Sequence, residues 1–183
     1  MSQALLKTAA ADIESLPIFA RVLLASRLAR RATLWLAGGG HEAVRAGLIA
    51  SCDAVERCAL GGEAPAFNVP QLPYPPGILT FIVEACEEAC AAARAAAAGD
   101  ATRCSTHVHA SLAASLESKG FNRLQGAIFL AGDLSQIIFA CGEVRLGREQ
   151  PLTRQVMERL IPVYPPDEVP PAHVEFDPTF GAR

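Results

Sequence analysis

The sequence predicts an all-α protein, a single bundle of five to six helices, and three observations carry that reading. Apolar residues recur at three- and four-residue spacing through most of the chain, glycine or proline punctuates the segments, and alternating strand patterns are scarce. At 51% apolar and 19% charged residues, the chain has ample material for one core and is too apolar to stay unfolded. Its 183 residues require no second domain, so residues 1–161 are read as one helical domain and 162–183 as a Pro-rich tail packed on it or on a partner.

The first helix is read in "DIESLPIFARVLLASRLARRATLWLAGGG", with Asp12 or Ser15 as its cap and Pro17 in an early turn. Leu16, Ala20, Leu23, Leu24, Leu28 and Trp35 mark its apolar side, and Gly38 to Gly40 end it. The second, "HEAVRAGLIASCDAVERCALGG", places Val44, Leu48, Cys52, Val55 and Ala59 on one side and Arg45, Asp53, Glu56 and Arg57 on the other. Residues 61–77 hold five prolines and three glycines and read as a crossover loop long enough to cover a cleft.

A third helix is expected from Ile78 to Ala98, ending at Gly99, and a fourth from Asp100 to about Ser118. The two-residue link makes them antiparallel neighbours. The stretch "NRLQGAIFLAGDLSQIIFACG" is read as the central, most buried helix, with Asn122 and Gln125 as a capping box and Gly142 as its stop. Its apolar density also suits two strands, so the alternative is an α+β fold with a small hairpin around 127–146; separately, "GEVRLGREQP" leaves room for a short strand at Glu143 to Leu146. A last helix is expected over Leu152 to Leu160. The tail's six prolines exclude a helix, and Tyr164, Phe176 and Phe180 would anchor it.

Composition narrows the classes of function. The net charge of -3, with 14 Arg against 2 Lys, favours neither nucleic acid nor a polycation as partner. The opening "MSQALLKTAAADIE" lacks the pattern of a secretory signal, so the chain is expected to begin there and to work in the cytoplasm. No run of about 20 apolar residues is free of charge, so no transmembrane segment is expected. Six cysteines without a Cys-x-x-Cys then read as reduced core residues.

Four constellations suggest chemistry. "EACEEAC" at 84–90 divides on a helix: Glu84, Glu87 and Glu88 share one face with Thr80 and Arg94, while Cys86 and Cys90 lie on the other with Ile82 and Ala93. The carboxylates read as a solvated face and the thiols as core. Asp53-x-x-Glu56 with Glu84-x-x-Glu87 offers a Mg²⁺ alternative, since facing acidic turns suit a hard cation and substrate phosphates. The order of these pairs reverses that of the all-α nucleoside triphosphate pyrophosphohydrolases, and no resemblance to them is claimed.

A weaker zinc alternative uses Cys86, Cys90, Cys104 and His107. Antiparallel pairing about residues 99 and 100 leaves Cys104 roughly 7 Å from the level of Cys90, wide for Zn–S bonds of about 2.3 Å. His107 and His109 point apart on a helix and cannot share a site. Arg21, Arg27, Arg30 and Arg31 form a basic cluster, read as a solvated face or as a contact for an acidic partner or anion. Asp133 is the best candidate for a buried acid, and an arginine of the first helix would neutralise it.

No nucleophile elbow or phosphate loop occurs, and "LAGGGHE" lacks the preceding strand a phosphate cradle needs. The reading is therefore a non-enzymatic cytoplasmic helical protein, accessory or immunity-type, acting on a protein partner or as a homo-oligomer and needing no cofactor. The alternative is a Mg-dependent all-α nucleotide phosphohydrolase. Attachment to a membrane surface through the basic helix is a third possibility.

Overall fold

A computed structural model describes residues 2–36, 41–68, 78–118, 123–161 and 163. The described residues form seven α-helices: α1 (Ser2–Ser15), α2 (Ile18–Thr33), α3 (Glu42–Ala59), α4 (Ile78–Ala97), α5 (Ala101–Glu117), α6 (Arg123–Val144) and α7 (Arg154–Met157), with a 3-10 turn at Leu34–Leu36 after α2. The all-α reading holds, and the hairpin alternative fails because α6 is one continuous helix through 127–144. Residues 69–77 of the crossover, the Gly38–Gly40 stop, Asn122 and all but Val163 of the tail's 162–183 lie outside the described residues.

One helix more appears than the sequence suggested, because residues 2–11, outside any predicted helix, form α1 together with the first four residues of the first predicted segment, and Pro17 separates it from α2. Pro17 has no amide hydrogen to continue the α1 ladder and adopts extended ψ 149° as the N-cap of α2. Neither Asp12 nor Ser15 caps: Ser15 Oγ donates back to the Asp12 carbonyl and closes α1. The free Ile18 amide donates to the Arg148 carbonyl at 2.8 Å, so the loop after α6 supplies the cap that Pro17 cannot.

The centre of the bundle is α2, with 14 of its 16 residues buried. Leu23, Leu24 and Leu28 are fully enclosed among α3, α4 and α5. The predicted inner side of α3 is buried as expected, and α3 ends where Gly61 takes φ +89° and the Gly62 amide bonds the Arg57 carbonyl at 2.9 Å. Beyond it, buried Pro65 accepts from Arg94 Nη1 at 3.1 Å, which lays the described part of the crossover over the end of α4.

The α4–α5 link is as predicted. Gly99 takes φ +74°, and Asp100 caps α5 by accepting from the Arg103 amide at 2.9 Å. Glu88 meets His107 and the Ala85 carbonyl meets Ser111 Oγ, so the two helices run antiparallel. At the other end of the chain, α6 overshoots Gly142 and stops at Arg145, whose φ of +53° breaks the ladder. No strand forms at Glu143 to Leu146. The last helix shrinks to one α-turn at Arg154–Met157, capped by Thr153, although Leu152, Val156 and Leu160 are buried as a helical side would require.

Candidate interaction surface

The basic cluster of α2 is not a solvated face. Arg27 and Arg30 are 4% and 6% exposed, and each of the four arginines ends on a partner within the chain. At 100° per residue Arg27 and Arg31 lie about 40° apart on one side of α2, while Arg30 lies about 60° and 100° from them and reaches a different neighbour. Arg30 meets Glu56 at 3.2 Å and also bonds Asp53, joining α2 to α3. Burial alone would lower the pKa of Arg30, yet the charge of Glu56 and the hydrogen bond Arg30 donates to Asp53 raise it. Arg21 joins α2 to α1 through Glu14 and the Leu16 carbonyl.

Arg27 and Arg31 both reach Asp133 at the middle of α6. Arg27 donates to Oδ1 at 3.0 and 2.8 Å, and Arg31 donates to Oδ2 and Oδ1 at 3.0 Å each. Asp133 is 1% exposed. Burial works to raise its carboxyl pKa, but the two guanidiniums outweigh it and hold the group below its ordinary range. Arg27 also donates to the Ile161 carbonyl at 2.7 Å, and Arg31 stacks on Phe129 at 4.7 Å from the ring centre. The predicted buried acid and its arginine partner are thus both present, with a second arginine that the sequence did not suggest.

The other candidate residues do not assemble. Asp53 and Glu56 are engaged by Arg30, while Glu84 and Glu87 are exposed on α4. Cys86 lies 3.8 Å from Cys52, sulfur to sulfur, and His107 pairs instead with Glu88 at 2.6 Å. His109 Nδ1 lies 2.9 Å from the Ser105 carbonyl. Among the described residues no three His, Cys, Asp or Glu side chains are grouped so as to hold a metal.

All six cysteines are buried and free. Burial pushes the Cys90 and Cys104 thiols up to about 12 and Cys141 to about 11, so they remain protonated at neutral pH and behave as small core residues. A shallow groove between α1, α2 and α5 is lined by Glu14, Arg21, Thr102, Ser105 and His109. Ser105 Oγ donates to the Glu14 carboxylate rather than to a histidine nitrogen.

The largest departure from the sequence reading is α6. Expected at the centre, its stretch Gln125–Val144 has eight of its 20 residues buried, although it is long and apolar enough to cross a membrane by length and composition. Its buried side carries Phe129, Leu130, Asp133, Leu134, Ile137 and Cys141. Its outward side carries Ile128 (44% exposed), Ile138 (41%) and Phe139 (65%), with Ala131, Ser135 and Gly142 also exposed between and beyond them. A Cβ added at Gly132 or Gly142 would meet nothing within 4 Å, so the ground around these positions is open. Ile161, 37% exposed, donates its amide to Gln136 at the edge of this face.

Between Gln125 and Gly142 the one charged residue is Asp133, and it points inward to two arginines. The outward face is therefore apolar and uncharged over about 15 residues, or ~21 Å. A sequence signal existed: an all-round apolar helix with one central carboxylate must turn that group toward its cations, which fixes the face left outside. Compared with known proteins, the chain matches no family model, no curated protein and no solved structure at a significant level.

Proposed function

We propose that this chain is a non-enzymatic cytoplasmic protein that works through protein–protein contact, with the outward face of α6 as its docking surface. One observation carries the reading: the most apolar long helix of the bundle is anchored by Asp133 so that Ile128, Ile138 and Phe139 face outward. A contiguous apolar surface on a folded chain marks a contact site. The anchor matters for recognition because two fork-shaped guanidiniums fix the rotation of α6 about its axis, and a preorganised face loses less entropy on binding. Phe139, 65% exposed, is the largest apolar side chain on this face, and aromatic residues are enriched in the cores of protein interfaces. The interior carboxylates and thiols are already engaged or buried, which leaves the surface to carry the function.

The test is photocrosslinking in cells that make the protein. Benzoylphenylalanine replaces Phe139 in one variant and Arg154 in a control, a position whose side chain is 91% exposed outside the face. The expected result is a discrete protein adduct from position 139 and none from 154. No adduct from 139, adducts to lipid alone, or the same smear from both positions would reject docking.

A further inference from the structure

We infer that Cys52 and Cys86 form a redox-sensitive latch between α3 and α4, open as two thiols and closed as a disulfide, a property separate from the docking reading above. The two sulfurs stand 3.8 Å apart, in contact, and each residue is 1% exposed. A disulfide holds its sulfurs at about 2 Å, so closure requires about 1.8 Å of movement shared between two side chains.

The seam favours that closure. Around Cys86 the buried side of α4 consists of Ala85, Ala89, Ala92, Ala93 and Cys90, so no bulky side chain spaces the helices. Cys58 Sγ, also from α3, lies 3.7 Å from the Ala93 carbonyl, so one short side chain spans from α3 to the main chain of α4.

The thiols are not equivalent. Cys90, Cys104 and Cys141 are raised first by burial, whereas Cys86 is held well above the ordinary thiol range first by its hydrogen bond with Cys52 and then by burial. Cys86 therefore keeps its proton and donates it to Cys52, which makes Cys52 the sulfur that ionises and attacks. The Arg30 guanidinium, fixed by Asp53 and Glu56 close beyond Cys52, favours an anion at this pair. The side chains of Asp53 and Glu56 are 46% and 25% exposed, so Cys52 lies just inside the surface of the bundle. Hydrogen peroxide, little larger than water, is the class of oxidant such a site admits.

The Cys52 thiolate attacks one peroxide oxygen, an S–O bond forms and the O–O bond breaks, which leaves a sulfenic acid and a hydroxide that takes up the Cys52 proton. The Cys86 sulfur then attacks the Cys52 sulfur, the S–S bond forms, the S–O bond breaks, and the second oxygen leaves as water with the Cys86 proton. The two sulfurs give up two electrons to the peroxide oxygens. A dithiol reductant reverses the step by exchange. The bond ties positions 34 apart and encloses the crossover between α3 and α4, so it restricts the unfolded chain and stabilises the folded one.

Peroxide treatment of the reduced, purified chain tests the latch, with thiols counted in denaturant after the oxidant is removed. The wild type is expected to lose two of its six thiols and to regain them with dithiothreitol, and Cys90→Ala is expected to lose the same two. Cys86→Ala is expected to stop at a Cys52 sulfenic acid that dimedone traps, and Cys52→Ala to lose no thiol. Peptide mapping of the oxidised wild type, which needs no variant to fold, is expected to find residue 52 linked to residue 86. The oxidised chain should melt roughly 5–15 °C above the reduced one. An unchanged thiol count, a scrambled mixture of linkages, a disulfide between two chains, or sulfinic acid at Cys52 in place of the bond would overturn the latch. So would an oxidised chain that melts no higher than the reduced one.

Discussion

Asp133→Asn removes one negative charge from a buried cluster that contains two positive ones. The amide oxygen can still accept hydrogen bonds, but the Arg27 guanidinium, 5% exposed, loses its only ionic contact among the described residues and keeps the Ile161 carbonyl. Removing one partner of a buried ion pair costs about 3–5 kcal/mol, because the desolvated charge that remains has no compensation. Arg31 relieves part of its own share, since its side chain is 15% exposed and can turn toward water. The lower half of that range, about 3–4 kcal/mol, is therefore expected, a large fraction of the roughly 5–15 kcal/mol that holds a domain together. At ~2–4 °C per kcal/mol for a chain of this size, the melting temperature should fall by roughly 6–16 °C. Urea unfolding followed by far-ultraviolet circular dichroism measures the loss, and Glu84→Gln on the exposed face of α4 serves as control, within about 0.5 kcal/mol of wild type. An Asp133→Asn loss below about 1 kcal/mol would refute the claim that this cluster fixes α6.

The same residue predicts an acid dependence. Its folded pKa lies below the ordinary value of about 3.9, so the unfolded chain binds its proton first, and the stability it contributes is present above about pH 4 and is lost as pH falls through the folded value. The gap in stability between wild type and Asp133→Asn should be constant above about pH 5 and close below about pH 4, as read from urea titrations at each pH. At the alkaline end the sign reverses. Thiols pushed up to about 11 and 12 when folded ionise first in the unfolded chain, so stability should decline from about pH 9 upward, and a thiol reagent at pH 8 should label the six cysteines only after denaturant is added. Gly99→Ala should cost about 1–2 kcal/mol, set by backbone alone, because φ is +74° and an added Cβ would touch nothing; calorimetric unfolding gives the value.

Local signals were legible and long-range ones were not. Gly99 followed by Asp100 fixed a helix end and the next start, because a left-handed residue and a cap act within one turn. The division of "EACEEAC" into exposed Glu84 and Glu87 and buried Cys86 and Cys90 followed from the 100° step of a helix. Pro17 was read as an early-turn residue of one helix, since proline suits that position as well as a break. The errors in α2 and α6 share one cause. Periodicity detects polarity on a helix but not charges elsewhere in the chain that make an arginine buriable. Arg27, Arg30 and Arg31 read as a solvated face, yet Asp53, Glu56 and Asp133 neutralise them and α2 lies at the centre. Conversely α6 looked central for want of charge, and its outward side is the candidate site.

Size-exclusion chromatography of a freshly clarified cell extract, followed with an antibody to the chain, tests the docking claim most directly. The account predicts that the wild-type protein elutes well above the 19.3 kDa of one chain, and that an Ile138→Asp, Phe139→Asp variant, folded by circular dichroism, elutes as the monomer. Elution of both proteins at the same volume would contradict it.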